Sequence, residues 1–291
     1  MIKITPLKFS FLLFVFLGAS FFLSCTAFNG EQSIPAYIHI DTILLHTNPE
    51  TQGSKSSKIT DAWIYVDDEL IGAFEMPCTV PVLMSGKHKV RVLAGIKMNG
   101  IASTRIYYPF YSAYSADITL EEKQTDTVRP TVTYDPATVF VWTENFENGS
   151  SSLERTSRSD STIQIVTTAP NVFEGSYSGA MYLGDTAKLF ECSTIMNYSL
   201  PMNKAVFLEL NYKTNNLLTV GIFGNSPSQV IQSSVMVLNH TSGWNKVYIN
   251  LTPAVESITD ATSFKVFFGM FRETGVTRPE AFIDNVKLVT Y

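Results

Sequence analysis

The chain has 291 residues, 21 of them basic and 26 acidic, for a net charge of −5, and charged residues make up only 16% of the whole. No basic stripe follows from this balance, so a partner with a phosphate backbone is not expected. Phenylalanine (20) and tyrosine (13) are abundant instead, which suits β-sandwiches, and the length allows about two domains.

The chain opens with Lys3 and Lys8 flanking the start of an apolar run from Phe9 to Phe22, which ends in Leu23-Ser24-Cys25. A basic region, a short apolar stretch, a small residue and then cysteine resemble a bacterial lipoprotein signal, with Phe22 standing where Leu or Val is commoner. The alternatives are an ordinary secretory peptide or an uncleaved anchor, but the run falls short of the roughly 20 residues that span a hydrocarbon core. The expectation is a signal peptide over 1–24, lipidation of Cys25 and a tether over 25–35. Acyl chains add about 0.8 kcal/mol per buried methylene, so several of them hold a body on a membrane. That body would sit on a bacterial outer membrane, facing the periplasm or the cell surface. Cys78 and Cys192 fall in different expected domains and read as two buried thiols rather than a disulfide.

After the signal no stretch sustains an apolar period of 3.6. Short β-branched and aromatic runs recur between Gly, Pro, Asn and Ser, the pattern of an all-β protein. Residues 36–120 read as a first β-domain with strands near AYIHIDTILL, DAWIYVDD, HKVRVLAG and ADITLE. Val90 and Val92 share one face of HKVRVL while Lys89 and Arg91 share the other, so one face is core and one is wet. Asp67, Asp68 and Glu69 form either a solvated hairpin turn or a calcium contact, and His88 reads as an inward or edge histidine. The order Val66-Asp67-Asp68, Gly72, Pro77, Pro81, then Gly86, His88, Val90 and Val92 resembles the PEGA-type domain of bacterial surface proteins. That resemblance implies a small immunoglobulin-like sandwich with an interaction or scaffolding role.

The stretch 121–136, EEKQTDTVRPTVTYDP, has few large apolar residues and two prolines, and is expected to be an interdomain linker. Residues 137–291 follow as a second domain. Asn145-Phe146-Glu147, then Glu174-Gly175-Ser176-Tyr177-Ser178-Gly179, then Gly243-Trp244 before KVYINL, and finally AFIDNVKL appear in that order. Together they resemble jelly-roll domains of the galactose-binding and carbohydrate-binding-module type.

That resemblance implies a structural calcium ion tying the opening strand to the closing one, with Glu147, Glu174 and Asp284 as matching ligands. The residues of AFIDNVKL argue separately for Asp284. A regular strand puts it on one face with Phe282, Val286 and Leu288, where a carboxylate wants a cation or hydrogen bonds. Calcium takes carboxylate and carbonyl oxygens together; the alternative is that Asp284 accepts backbone N–H bonds at a bend. A sugar site needs aromatic faces beside hydrogen-bonding groups. Trp142, Phe207 with Glu209 and Asn211 on its face, and Tyr248 with Asn250 are the candidates, alongside Tyr212 and Phe267. The run FKVFFGMF, Phe264 to Phe271, is apolar on both faces and reads as a covered central strand or a docking face.

His39, His46, His88 and His240 are scattered, and no nucleophile elbow, phosphate-binding loop or dinucleotide fingerprint occurs. Asp followed by Ser or Thr and then a small or β-branched residue resembles the O-glycosylation signal of Bacteroidetes periplasmic proteins. It occurs at Thr42, Thr127, Ser161 and Thr186, with Thr127 in the expected linker and Thr42 in an expected strand. The reading is an all-β chain of two sandwiches, an immunoglobulin-like one followed by a jelly roll. The expected role is that of a noncatalytic, envelope-anchored binder of a glycan or another envelope component. The rivals are an assembly lipoprotein contacting protein partners and a glycan-acting hydrolase.

Overall fold

The computed structural model describes residues 34–291. The expected signal, Cys25 and most of the tether lie outside the described residues. The first half contains β1 (Ala36–Ile40), β2 (Leu44–Leu45), a one-turn helix α1 (Pro49–Gln52), β3 (Asp61–Val66), β4 (Glu69–Glu75), β5 (Cys78–Val82), β6 (Gly86–Lys97), β7 (Arg105–Tyr107) and β8 (Tyr114–Leu120). β6 is its longest strand, pairing with β3 on one side and with β7 and β8 on the other, and β3 pairs in turn with β4. Val90 and Val92 are buried and Lys89 is exposed, as the alternation requires. Asp67 and Asp68 take φ of 49° and 67°, the geometry of a two-residue hairpin turn. Asp67 spends its oxygens on the Lys89 N–H and the His88 ring, so the acidic cluster is a turn.

The stretch expected to be a linker belongs to this first body. β9 (Thr125–Val128) runs parallel to β1, and β10 (Thr131–Val132) runs parallel to β2. Val128, Val132 and Tyr134 are buried. Short strands that bury every second side chain need few apolar residues, which is why the composition reads as unstructured. Thr127 therefore lies on an exposed strand position beside His39. Thr42 sits in the connection between β1 and β2, Thr186 in an exposed turn, and Ser161 half-buried in a loop.

The second half contains β11 (Val139–Glu144), β12 (Leu153–Arg155), β13 (Gln164–Val166), β14 (Ser178–Tyr182), β15 (Leu189–Thr194), β16 (Val206–Thr214), β17 (Leu218–Asn225), β18 (Val230–Leu238), β19 (Asn245–Asn250), a short helix α2 (Thr252–Ser257), β20 (Ser263–Phe271) and β21 (Glu280–Thr290). One sheet has the order β13-β14-β21-β16-β19, with β11 also on β21; the other has the order β12-β15-β20-β17-β18. Leu208 and Leu210 from the first sheet meet Phe264, Val266, Phe268 and Met270 from the second in one core. The two sheets make a sandwich, and the whole protein is all-β. The run FKVFFGMF is the central strand β20, whose alternate residues fill this core.

β21 carries β16 along one edge and, along the other, β14 as far as Ile283 and β11 from Val286 onward. Asn285 takes φ of 48° at the hand-over, and the register against β16 shifts there. The bulge reverses the side-chain parity. Ile283, Val286 and Leu288 face the core, whereas Phe282 and Asp284 pair with Lys213 and Asn211 on the outer face. The expectation that Asp284 shares a face with Val286 and Leu288 fails for this reason.

Candidate functional site

Three places bring chemistry-bearing side chains together. The first is the outer face of the sheet built on β16, β19 and β21. Phe207, Glu209 and Asn211 do share this face, as the alternation predicts, but the first body covers it. Phe207, Tyr248 and Val289 pack into the same core as Tyr108, Phe110, Tyr111 and Tyr134. The Tyr108 ring centroid lies 5.5 Å from Phe207 and 4.8 Å from Tyr248. Glu209 is wholly buried and accepts from the Tyr108 hydroxyl at 2.8 Å and the Tyr134 hydroxyl at 2.9 and 3.0 Å. Lys246 Nζ lies 3.4 Å from Glu209 Oε2. Lys287 Nζ donates to Tyr134 at 3.2 Å and to the Ser54 carbonyl at 2.6 Å. Burial raises the Tyr108, Tyr111, Tyr134 and Tyr248 hydroxyls above the ordinary tyrosine range. It also lowers Lys246 and takes Lys287 down to about 8.

The edge of this face is sealed by backbone. Met98 bridges to Tyr248 beside β19, the Asn99 N–H donates to the Tyr248 carbonyl, and the Asn250 N–H donates to Asn99 Oδ1 at 2.8 Å. The residues expected to form a sugar-stacking surface, Phe207, Glu209, Asn211, Tyr248 and Asn250, thus form the joint between the two bodies. An aromatic ring whose faces are packed in a core has none left for a pyranose. Trp142 lies elsewhere and is also buried. It stacks on Tyr198 at 6.4 Å and donates its indole N–H to Ser152 at 2.9 Å.

The second place is the hand-over on β21. Both Glu147 oxygens accept from the Ser176 N–H, and Oε1 also accepts from the Tyr177 N–H, holding the Gly175 turn. Gly175 has φ +70°, and a Cβ there would run into the Glu147 carboxylate. Asp284 accepts from Ser178 Oγ at 2.6 Å and the Asn285 N–H at 2.7 Å, with the Glu174 N–H at 3.4 Å. Glu174 turns away and accepts from Ser54 of the first body and from the Asn285 amide at 2.8 Å. Burial lifts Asp284 to about 6. The three carboxylates are neighbours, but their oxygens face N–H and O–H donors. No group of three acidic, histidine or cysteine side chains among the described residues converges as a metal site. As arranged, this donor set does not fit the expected calcium ion; these residues pin the turn and the two bodies instead.

The third place is the outer face of the second sheet, and sequence reasoning missed most of it. Glu191 on β15 and Gln232 on β18 are separated by two intervening strands, yet Gln232 Nε2 donates to Glu191 Oε2 at 2.8 Å. Three strand spacings amount to about 14 Å in a flat sheet. Contact across that span means the twisted sheet folds up along this diagonal, so the face is concave. Thr156 Oγ1 donates to the other Glu191 oxygen at 2.7 Å, and Arg158 reaches over to Gln232 Oε1 at 2.8 Å. Gly221 lies below, its missing side chain replaced by the Phe267 ring, which packs on Phe223 at 4.9 Å. Phe267 is buried while Phe271, two positions further on the same face, is 61% exposed. The signal for this face was an acid inside an apolar run, Glu191 in LFECST, together with the shared parity of Phe267 and Phe271.

No protein-family model matches the chain, and no curated protein matches it. Among solved structures, the carbohydrate-binding modules of the β-sandwich superfamily studied for promiscuous specificity are similar at 12% identity, over 89% of this chain and 99% of that one, with a TM-score of 0.41. A carbohydrate-binding module solved with β-1,4-galactotriose matches at 16% identity, over 50% of this chain and 92% of its own, with a TM-score of 0.33. The family 30 module of a Clostridium thermocellum cellulosomal cellulase matches at 14%, over 53% and 94%, with a TM-score of 0.34. At these figures the likeness does not extend to a ligand.

Proposed function

We propose that this chain is a noncatalytic, lipid-anchored binding protein of a bacterial envelope, held by Cys25 on the outer membrane, and that it recognises a glycan on the concave face of its second sheet. The observation that carries the reading is that the outer face of this sheet holds a hydrogen-bonding ridge of Arg158, Gln232 and Thr156 around Glu191 and, at the end of β20, an exposed Phe271 ring. Sugars present C–H faces to rings and hydroxyls to amides, guanidinium groups and carboxylates, and this face offers both. Glu191 supports binding over hydrolysis, because both its oxygens are already engaged by Thr156 and Gln232 and neither is poised to move a proton. A continuous apolar patch, as expected of a protein-docking strand, is interrupted here by the polar ridge.

The test is a glycan-array screen of the two-domain protein beside its Phe271→Ala and Arg158→Ala variants. Specific binding that both substitutions weaken is the expected result. A folded protein that binds no glycan, or binding that both variants retain in full, would move the function to protein contacts or to another face.

A further inference from the structure

Among the described residues, Asn211 Oδ1 on β16 and Lys246 Nζ on β19 are buried polar atoms that make no hydrogen bond. They belong to one rung of the sheet, since Asn211 lies directly opposite Lys246 in the antiparallel register. Opposite side chains in a rung start about 5 Å apart at Cβ, and the long, flexible lysine stem covers that gap to the amide carbon. Both residues are sealed, Asn211 at 2% and Lys246 at 5% exposure.

Charge does not set this pair apart. Lys246 is balanced by Glu209, 3.4 Å from its Nζ, and by the more distant Glu174 and Asp284. Asp284 flanks Asn211 on the other side as an acceptor, already bonded by Ser178 and the Asn285 N–H. What the rung brings together is an amine, a primary amide and a carboxylate in a dry site. Glu209 shares the face of Asn211 two positions along β16 and sits beside the ammonium. The Tyr248 ring centroid lies 5.9 Å from Nζ, and Tyr108 and Tyr134 of the first body close over Glu209. Burial also lowers the Lys246 ammonium from its ordinary range, which favours the neutral amine, the form that attacks a carbonyl.

We propose that Lys246 and Asn211 join in an intramolecular isopeptide bond, a covalent staple between β19 and β16. Glu209 takes a proton from the ammonium, and the freed Nζ attacks Asn211 Cγ. The Nζ–Cγ bond forms and the Cγ–Nδ2 bond breaks. Of the three Nζ protons one stays on the new amide and two pass by way of Glu209 to Nδ2, so an ammonium ion leaves and Glu209 ends as the carboxylate it began. No oxidant or cofactor is consumed. β19 ends its sheet and carries the backbone contacts to Met98 and Asn99, so the staple fixes the edge on which the joint between the bodies rests. It depends on neither the glycan reading nor the lipid anchor.

The test is intact-protein and tandem mass spectrometry of the two-domain protein. The expected result is a mass one ammonia below the sequence value and a branched peptide joining Lys246 to Asn211. Lys246→Arg and Asn211→Ala should each restore the full mass. The branched peptide is needed because succinimides at Asn99 and Asn148, each followed by glycine, would shed the same ammonia. Full sequence mass in the folded, unsubstituted protein overturns the proposal. So does a loss placed at any other residue, or one that persists in Lys246→Arg.

Discussion

Glu209→Gln tests whether the joint between the two bodies is an electrostatic assembly. The substitution keeps the side-chain shape and an oxygen for Tyr108 and Tyr134 while removing the negative charge. Lys246 and Lys287 then lose their nearest anion and keep only the more distant charges of Glu174 and Asp284, and breaking a buried pair in this way costs about 3–5 kcal/mol. A ceiling comes from the alternative open to each lysine, which is to lose its proton. From an ordinary value of 10.5, neutralising one lysine at pH 7 costs about 5 kcal/mol, and at pH 9.5 only about 1.4 kcal/mol. Urea unfolding followed by tryptophan fluorescence should show Glu209→Gln less stable by about 3–5 kcal/mol at pH 7. The melting temperature should fall by about 6–20 °C. The deficit should shrink steadily towards pH 9.5. A loss below about 1 kcal/mol at pH 7, or one that stays flat across that range, would refute the argument.

Asp284 gives a second pH signature, in the acid range. Its folded value, raised by burial to about 6, exceeds the unfolded 3.8, so the native state binds more protons between them. Stability from this group is complete below pH 3.8 and is lost as pH rises through 6, by about 3 kcal/mol in all; the stability difference between the unsubstituted protein and Asp284→Asn should fall across that window, and a pH-independent difference would contradict it. Gly221→Ala places a Cβ against the Ser233 carbonyl and the Phe267 ring, and should cost about 1–3 kcal/mol in chemical denaturation. An unchanged midpoint would show that the floor of the concave face can yield. Cys25→Ser should move the protein from the membrane fraction to the soluble one, and an acylated amino-terminal peptide should vanish from its mass spectrum. Retention in the membrane would point to an uncleaved anchor.

How legible the protein was depends on what each pattern encodes. Alternation in β6 placed Val90 and Val92 inward and Lys89 outward, because period two follows from the pleat itself. The double-sided apolar run of β20 and the acidic turn at Asp67-Asp68 were readable for the same local reason. The cover over Phe207, Glu209 and Tyr248 was not. Alternation says that these residues share a face, but the groups that bury them, Tyr108, Tyr111 and Tyr134, come from irregular segments distant in sequence. A polar face on a strand looks alike whether water or a buried tyrosine hydroxyl satisfies it. The concave face was hidden for a related reason, since Glu191, Gln232 and Arg158 meet only through the twist of a five-stranded sheet. Asp284 was misplaced by one bulge at Asn285, a single residue that inverts every parity argument beyond it.

The covered face has a practical corollary for anyone who cuts the chain at residue 137. A fragment of 137–291 would bare Phe207 and Tyr248 beside Glu209, Asn211 and two lysines, an aromatic and polar surface with the chemistry of a lectin's. It could capture sugars, or other copies of itself, through side chains that the whole protein keeps out of reach. Ligands found with the isolated jelly roll would then describe the wound left by the cut, and only those that also bind the two-domain protein belong to it.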